Sequence, residues 1–439
     1  MNSNIKPLKL IVSIFFILLI YSFFDYYYFK LKSPLSSINI ISDIIKINTL
    51  PINSITTNIH FDSSNISLNN INEPHIIVNY THNDSYHYMY KLLNKLEKIK
   101  KYHKGKIRIA WLGDSMIEGD LITSTIRDNF QKMTNSFGVG FVPIQSITAN
   151  FRSTVTHNWK GEWQKATFQN NTLKAPLFIS GSCYYGINGE VNYKDNTIKD
   201  SLNKDQYIKY LLCGYYKDSF NVLVNKVNKK LFADKIFNSV LLEQNNDNKI
   251  NISIQNKNIP IYGVSIESEN GIIIDNLSFR GITGLELSQV SSNLLSSIDS
   301  QRYYDLIVIQ YGVNLLFRPN DLNYDWYYNK MNDCLRRIKK VMPNTDFLLI
   351  SSGDRAFCYN GKWETAKGIQ NLVYSQAKLA YNNKLYFYNL YTSMGGKGTI
   401  TNWANMKPSL ANKDYIHPNF RGAKVIGDIL YNDITYKRN

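Results

Sequence analysis

At 439 residues the chain is longer than one ordinary compact domain, and its length predicts two or three. Its 44% hydrophobic and 19% charged residues are those of a globular protein built around real cores, which excludes a disordered or fibrous chain. The net charge of +16 does not read as a nucleic-acid site, because Lys and Arg are spread along the chain and form no patch or arm. An anionic glycan or a membrane surface is the more economical partner.

Lys6 and Lys9 precede LIVSIFFILLIYSFF, residues 10–24, which carries no charge. The run is shorter than the ~20 residues of a spanning helix and falls within the range of a signal-peptide core. No small-x-small cleavage site follows. Residues 1–29 are therefore read as an uncleaved signal anchor, with the bulk of the chain outside the cytoplasm, in the periplasm or cell envelope. Residues 30–85, rich in Asn, Ser, Ile and Thr, read as a spacer. Helical spacing appears over 86–102, with Tyr88, Leu92, Leu93 and Leu96 on one face.

Ile107–Leu112 is a short apolar strand whose polar residues arrive at its C-terminal end, and 121–135 is spaced as a helix. Strand, sharp turn and helix open an α/β unit. The alternation resumes with strands at 272–277, 304–312, 346–353 and 385–390, and helices at 285–298, 325–342, about 364–382 and about 420–432. Five strands alternating with helices predict a doubly wound, mostly parallel sheet. Between Asn150 and Asn270 the pattern changes to short alternating runs such as YIKYLLCGYY, FNVLVNKV and INISIQ. That is an all-β signature, a sandwich or jelly roll inserted between the first and second strands. The expected order is anchor (1–29), spacer (30–85), first α/β part (86–149), β-rich insert (150–270) and second α/β part (271–439).

Cys183, Cys213, Cys334 and Cys358 show no CxxC spacing and no histidines at metal-ligand distances, so neither a metal site nor a cofactor is expected. The chemistry points elsewhere. In WLGDSMIEGD, residues 111–120, Ser115 follows the first strand, where doubly wound sheets place their sites. A serine there also suits a helix N-cap. A nucleophile needs a base, and the base an orienting acid. Six of the seven histidines lie at or before His157, and only His417, in NKDYIHPNFRG, lies in the C-terminal half. Asp414, three residues earlier, is placed to hold one imidazole nitrogen while the other faces the serine. Donors for an oxyanion are available from the Asn314 side chain in YGVN, from the N–H of Gly281 in NLSFRGITG, and from the N–H of Ser115.

These blocks together resemble the SGNH (GDSL-type) hydrolases: GDSMIEG their first, NLSFRG their second, YGVN their third and DYIHP their last. The resemblance covers roughly 107–149 and 271–435 and implies a three-layer α/β/α, flavodoxin-like fold. It also implies Ser115 as nucleophile, Asp414 and His417 as the rest of the triad, and an oxyanion hole of Ser115, Gly281 and Asn314. Leu315 and Leu316 depart from the charged or small residue usual after the asparagine. GDSMIEGDLITSTIRDNF, FGVGFVPI, the long C-terminal stretch 390–427 and the β insert resemble more closely the extracytoplasmic peptidoglycan O-acetylesterase-like proteins, whose catalytic domain is interrupted by a carbohydrate-binding-like jelly roll. That implies a carboxylic ester hydrolase acting on an O-acetylated cell-envelope glycan.

Two rivals share the sequence features. One is an O-acetyltransferase using the same triad on a cell-surface polysaccharide, the other a non-catalytic glycan-binding envelope protein. Arg280 and Trp403 are candidate substrate contacts, as are Arg152, Arg355, Trp159 and Trp163, each with packing or solvation as the plainer alternative. Glu118 and Asp120 are expected to favour a helix N-terminus electrostatically and not to act as a glycosidase pair. GGKG at 395–398 lacks the spacing of a phosphate loop.

Overall fold

The computed structural model describes residues 71–81 and 89–436. The expected anchor at 1–29, most of the spacer, and residues 86–88 of the expected first helix, Tyr88 among them, lie outside the described residues. Among the described residues no helix is long and apolar enough to cross a membrane. The described residues open with strand β1 (Ile77–Asn79), helix α1 (Tyr90–Tyr102), strand β2 (Lys106–Gly113) and helix α2 (Leu121–Thr134).

Seven strands follow with no helix between them. They are β3 (Gly140–Pro143), β4 (Val155–Lys160), β5 (Trp163–Thr167), β6 (Ser182–Asp195), β7 (Tyr207–Val224), β8 (Val227–Asn245) and β9 (Lys249–Ser268). All are paired antiparallel in one sheet of order β4-β6-β9-β7-β8, with β3 beside β9 and β5 beside β6. The short runs visible in the sequence are pieces of these long strands, which shift register at bulges such as Gly214 to Phe220 in β7.

Alternation then resumes: β10 (Gly271–Ser278), α3 (Ser292–Gln301), β11 (Leu306–Gln310), α4 (Asp325–Val341) and β12 (Asp346–Ile350). A hairpin of β13 (Ala356–Tyr359) and β14 (Lys362–Thr365) precedes α5 (Ile369–Asn382) and β15 (Tyr386–Tyr388). Two short helices, α6 (Leu390–Ser393) and α7 (Thr399–Asn405), lead to α8 (Phe420–Thr435). The main sheet has the order β1-β15-β12-β11-β2-β10, with β1 antiparallel at its edge and the other five strands parallel. Counted along the chain, the parallel strands stand 2-1-3-4-5, the flavodoxin-like arrangement, and the direction of winding reverses between β2 and β11. β1 falls where a spacer was expected, so residues 77–79 are part of the folded sheet.

Burial explains the layers. β11 is LIVIQ with every residue buried, as a strand covered on both faces requires. Ile107, Ile109 and Trp111 of β2 pack on one side with α1, α2 and α8. Ala110 and Leu112 face the other side with α3, α4 and α5, where Phe141 of β3 and Phe178, Leu212 and Tyr262 of the inserted segment join the same cluster. Polar contacts weld this seam. The buried Arg302 guanidinium donates to Asp275 of β10 at 2.9 Å, Glu267 of β9 at 2.7 Å and Ser265 at 2.7 Å. Glu267 also takes Lys106 at 2.9 Å and Arg108 at 2.6 Å from β2.

Candidate active site

Register brings the site together before any side chain is considered. Gly113 at the end of β2 lies level with Ser278 of β10 on one side and Gln310 of β11 on the other. Ser115, Gly281 and Asn314 follow these three residues on adjacent loops, at the switch point where open α/β sheets hold ligands. The loops are tied to one another. Phe279 N–H donates to the Gly113 carbonyl at 3.0 Å. The Asn314 amide donates to the Ile282 carbonyl at 2.9 Å and to the Asp114 carboxyl at 3.3 Å. The second contact is long and the weaker of the two.

His417 arrives from the far end of the chain on a loop built to present it. Asn419 caps α8 by accepting from the N–H groups of Arg421 and Gly422, and it donates to the Ser409 carbonyl. A Cβ at Gly422 would lie 2.0 Å from the Leu410 carbonyl oxygen, so only glycine lets the helix start approach this loop. His417 Nε2 stands 2.8 Å from Ser115 Oγ, and Nδ1 stands 2.8 Å from Asp414 Oδ2. An ionised carboxylate only accepts, so Nδ1 carries the proton and Nε2 is the free acceptor toward the serine. Asp414 Oδ1 also takes the N–H groups of Ile416 and His417 at 2.9 and 3.0 Å. Partial burial pushes Asp414 upward, but the hydrogen bonds from His417 and Ile416 outweigh it and hold the carboxyl below its ordinary range.

Two backbone donors stand unused beside this chain. Neither the Ser115 N–H nor the Gly281 N–H makes a hydrogen bond to a described residue. Gly281 has φ +74°, a left-handed conformation that suits glycine, and it is exposed. Asp114, between Gly113 and Ser115, is fully buried and accepts from Met116 N–H at 2.9 Å. Burial lifts its carboxyl to about 6, against the pull of the backbone N–H groups of Met116 and Gly312.

The other candidates sort by what they touch. Arg280 is exposed at the rim and grips Glu118 through Nε at 2.7 Å and through Nη2. Asp120 is buried and does not cap α2. It holds Arg127 at 2.5 Å, Arg152 at 3.2 Å, Thr154 at 2.5 Å and Thr123. Burial works to raise Asp120, and the two guanidiniums, Arg127 then Arg152, bring it well below the carboxylate range. Arg152 is thereby committed to structure. Trp403 packs half-buried against Ile400, Ala404 and Ala411, and its carbonyl accepts from Leu410 and Ala411. Trp159 and Trp163 pack against the core of the inserted sheet. Arg355 donates to the Val313 carbonyl at 2.6 Å and lies 4.5 Å from the Phe357 ring centre.

One aromatic that stacks on the Asp414–His417 loop is one that sequence reasoning passed over. Trp363 of β14 stacks on Tyr415 with ring centres 4.4 Å apart. The signal was present in Asn360-Gly361, whose φ values of 50° and 81° make the tight hairpin turn that Asn-Gly favours. All four cysteines are free. Among the described residues no group of three or more His, Cys, Asp or Glu is arranged to hold a metal ion.

A scan against protein-family models and a search of curated proteins find no match. Among solved structures, a peptidoglycan O-acetylesterase aligns at a TM-score of 0.68 and 20% identity, over 82% of this chain and 97% of that one. The chain shares its fold. An acetylxylan esterase from Geobacillus stearothermophilus aligns at 15% identity over 38% of this chain and 75% of that one, with a TM-score of 0.28. The acetyl xylan esterase AlAXEase aligns at 16% identity over 37% and 80%, also at 0.28. Overlap at that level does not bear on the chain as a whole, and identity this low speaks to fold and not to reaction.

Proposed function

We propose that the chain is a serine esterase that removes O-acetyl groups from a cell-envelope glycan such as peptidoglycan. The observation that carries this reading is the unbroken chain from Asp414 through His417 to Ser115 at 2.8 Å for each link, with two free N–H groups beside it. His417 Nε2 removes the Ser115 proton as Oγ attacks the acetyl carbonyl, and Asp414 steadies the imidazolium. The oxyanion takes the N–H groups of Ser115 and Gly281. It also takes the Asn314 amide hydrogen whose present partner, Asp114, lies at 3.3 Å. Preorganised donors of this kind contribute about 3–4 kcal/mol each to the barrier. His417 then returns the proton to the departing sugar oxygen, and water activated by the same imidazole frees acetate from the acyl-serine.

The wider setting belongs to the same proposal. The apolar run at 10–24 after Lys6 and Lys9 supports an anchor in the cytoplasmic membrane with the catalytic part outside it. Residues 86–149 and 271–439 make up the catalytic domain, and 150–270 a jelly-roll-like carbohydrate-binding insert. The test is hydrolysis of p-nitrophenyl acetate by the full-length chain, with fluorophosphonate labelling read by peptide mapping. Labelling at Ser115 and loss of hydrolysis in Ser115→Ala are expected. Hydrolysis that persists in the variant would exclude the mechanism.

A further inference from the structure

A hollow near the site has been given no task so far. A cavity of about 420 Å³ opens between the Glu118–Gly119 turn, the Ser278–Arg280 loop and the inserted sheet around β5 and β6. That volume lies within the range of small-ligand sites. Its wall residue Gln169 lies beside Gly281, where a Cβ would meet the Gln169 side-chain nitrogen at 3.4 Å. The inserted segment thus supplies one wall of a space bounded by the Glu118–Gly119 turn that follows Ser115.

The chemistry of that wall is specific. Ser180 lines the cavity at 6% exposure, and its hydroxyl has no hydrogen-bond partner among the described residues. A buried hydroxyl without a partner costs free energy that a ligand hydroxyl or amide recovers. Three cations and one anion line the space, and one of the cations, Arg152, is bound to the buried Asp120. Arg280 and Glu118 neutralise each other. The Lys165 ammonium makes no ion pair or hydrogen bond to any described residue, and lies 5.5 Å from the Tyr184 ring centre. Burial of this wall draws Lys165 below the ordinary lysine value, with Glu118 working against it. The cavity is left with one uncompensated positive charge, next to hydrogen-bonding groups and the ring of Phe279.

We propose that this cavity is the saccharide subsite of the esterase and that Lys165 selects a sugar that bears a carboxylate, with Gln169 and Ser180 bonding its polar groups. The proposal rests on the esterase reading for the identity of the reacting ester, but its test does not depend on turnover. Binding to the full-length chain is measured by titration calorimetry with N-acetylglucosaminyl-N-acetylmuramic acid, which carries a carboxylate, and with neutral chitobiose. The acidic disaccharide should bind about five-fold more tightly, the size of one partly exposed ion pair. The preference should shrink in 0.5 M salt, vanish in Lys165→Ala and survive in Lys165→Arg. Equal affinity for the two sugars, no binding of either, or a preference that persists in Lys165→Ala would overturn the subsite. Fluorophosphonate labelling of Ser115 reads the esterase chemistry separately, so a failed subsite with a labelled serine leaves the triad standing.

Discussion

Two sets of carboxylates do different work in this molecule, and their surroundings account for the difference. Asp414 sits on a loop with its side chain 42% exposed, and has one imidazole and two backbone N–H groups as partners. Asp275 and Glu267 lie at the seam between the two sheets with 0% exposure, clamped by Arg302. Burying a charge is costly unless it is paired and hydrogen-bonded, so the seam acids are fixed in one arrangement and hold the sheets together. Asp414 retains access to solvent and a partner that can change its protonation. Asp114 is a third case, buried between the two regions without a guanidinium of its own.

Substitutions should separate these roles, and the largest effect belongs to the loop. His417→Ala is expected to lower kcat on p-nitrophenyl acetate on the order of 10⁵-fold, and Asp414→Ala on the order of 10⁴-fold. Neither should change urea stability by more than about 1 kcal/mol. A large stability loss in either would place the loop with the seam. Next comes the seam itself. Arg302→Met leaves Asp275 and Glu267 buried without their common partner and should cost about 3–5 kcal/mol. Folded molecules should keep their kcat, since Arg302 touches no proposed reacting group. Asn314→Ala should lower kcat by about 10²–10³-fold through the oxyanion, and an effect confined to KM would instead make Asn314 a ground-state contact.

The smallest effect concerns Asp114 and depends on pH. Its carboxyl rises from 3.8 in the unfolded chain to about 6 when folded, so the folded state holds that proton more tightly. Stability from this group is therefore lost as pH climbs from about 4 to about 6, and the penalty is complete above that window. Asp114→Asn should stabilise the chain by about 2–3 kcal/mol at pH 8, with the gain gone near pH 3.5. Denaturation curves at both pH values measure it, and an undiminished gain in acid would contradict the assigned cause.

The parts of the site that lie at strand ends were legible in the sequence. GDS after an apolar strand and DYIHP before a final helix are local patterns, and local chemistry dictates them: a sharp turn, an Asn419 cap, a glycine at 422 where the chain passes closely. The main sheet was legible for the same reason, since strands covered on both faces are nearly continuous apolar runs. The lengths of β7, β8 and β9 were not, because bulges break the alternation into pieces that read as separate strands. β1 is three residues long and earns its place only by pairing with β15, more than 300 positions later. Asp120 looked like a helix-terminal acid, and only the fold brings Arg152 and Thr154 to it. The cavity wall of Lys165, Gln169 and Ser180 is a product of the insert folding against the main sheet, with no pattern of its own in the chain.

The account stands most directly on one measurement, acetate release from O-acetylated peptidoglycan by the full-length chain beside its Ser115→Ala variant. Release by the parent chain that disappears in the variant is the predicted result. Equal release by both would contradict the triad, and no release from a chain whose Ser115 takes the fluorophosphonate would contradict the choice of water and this glycan as its partners.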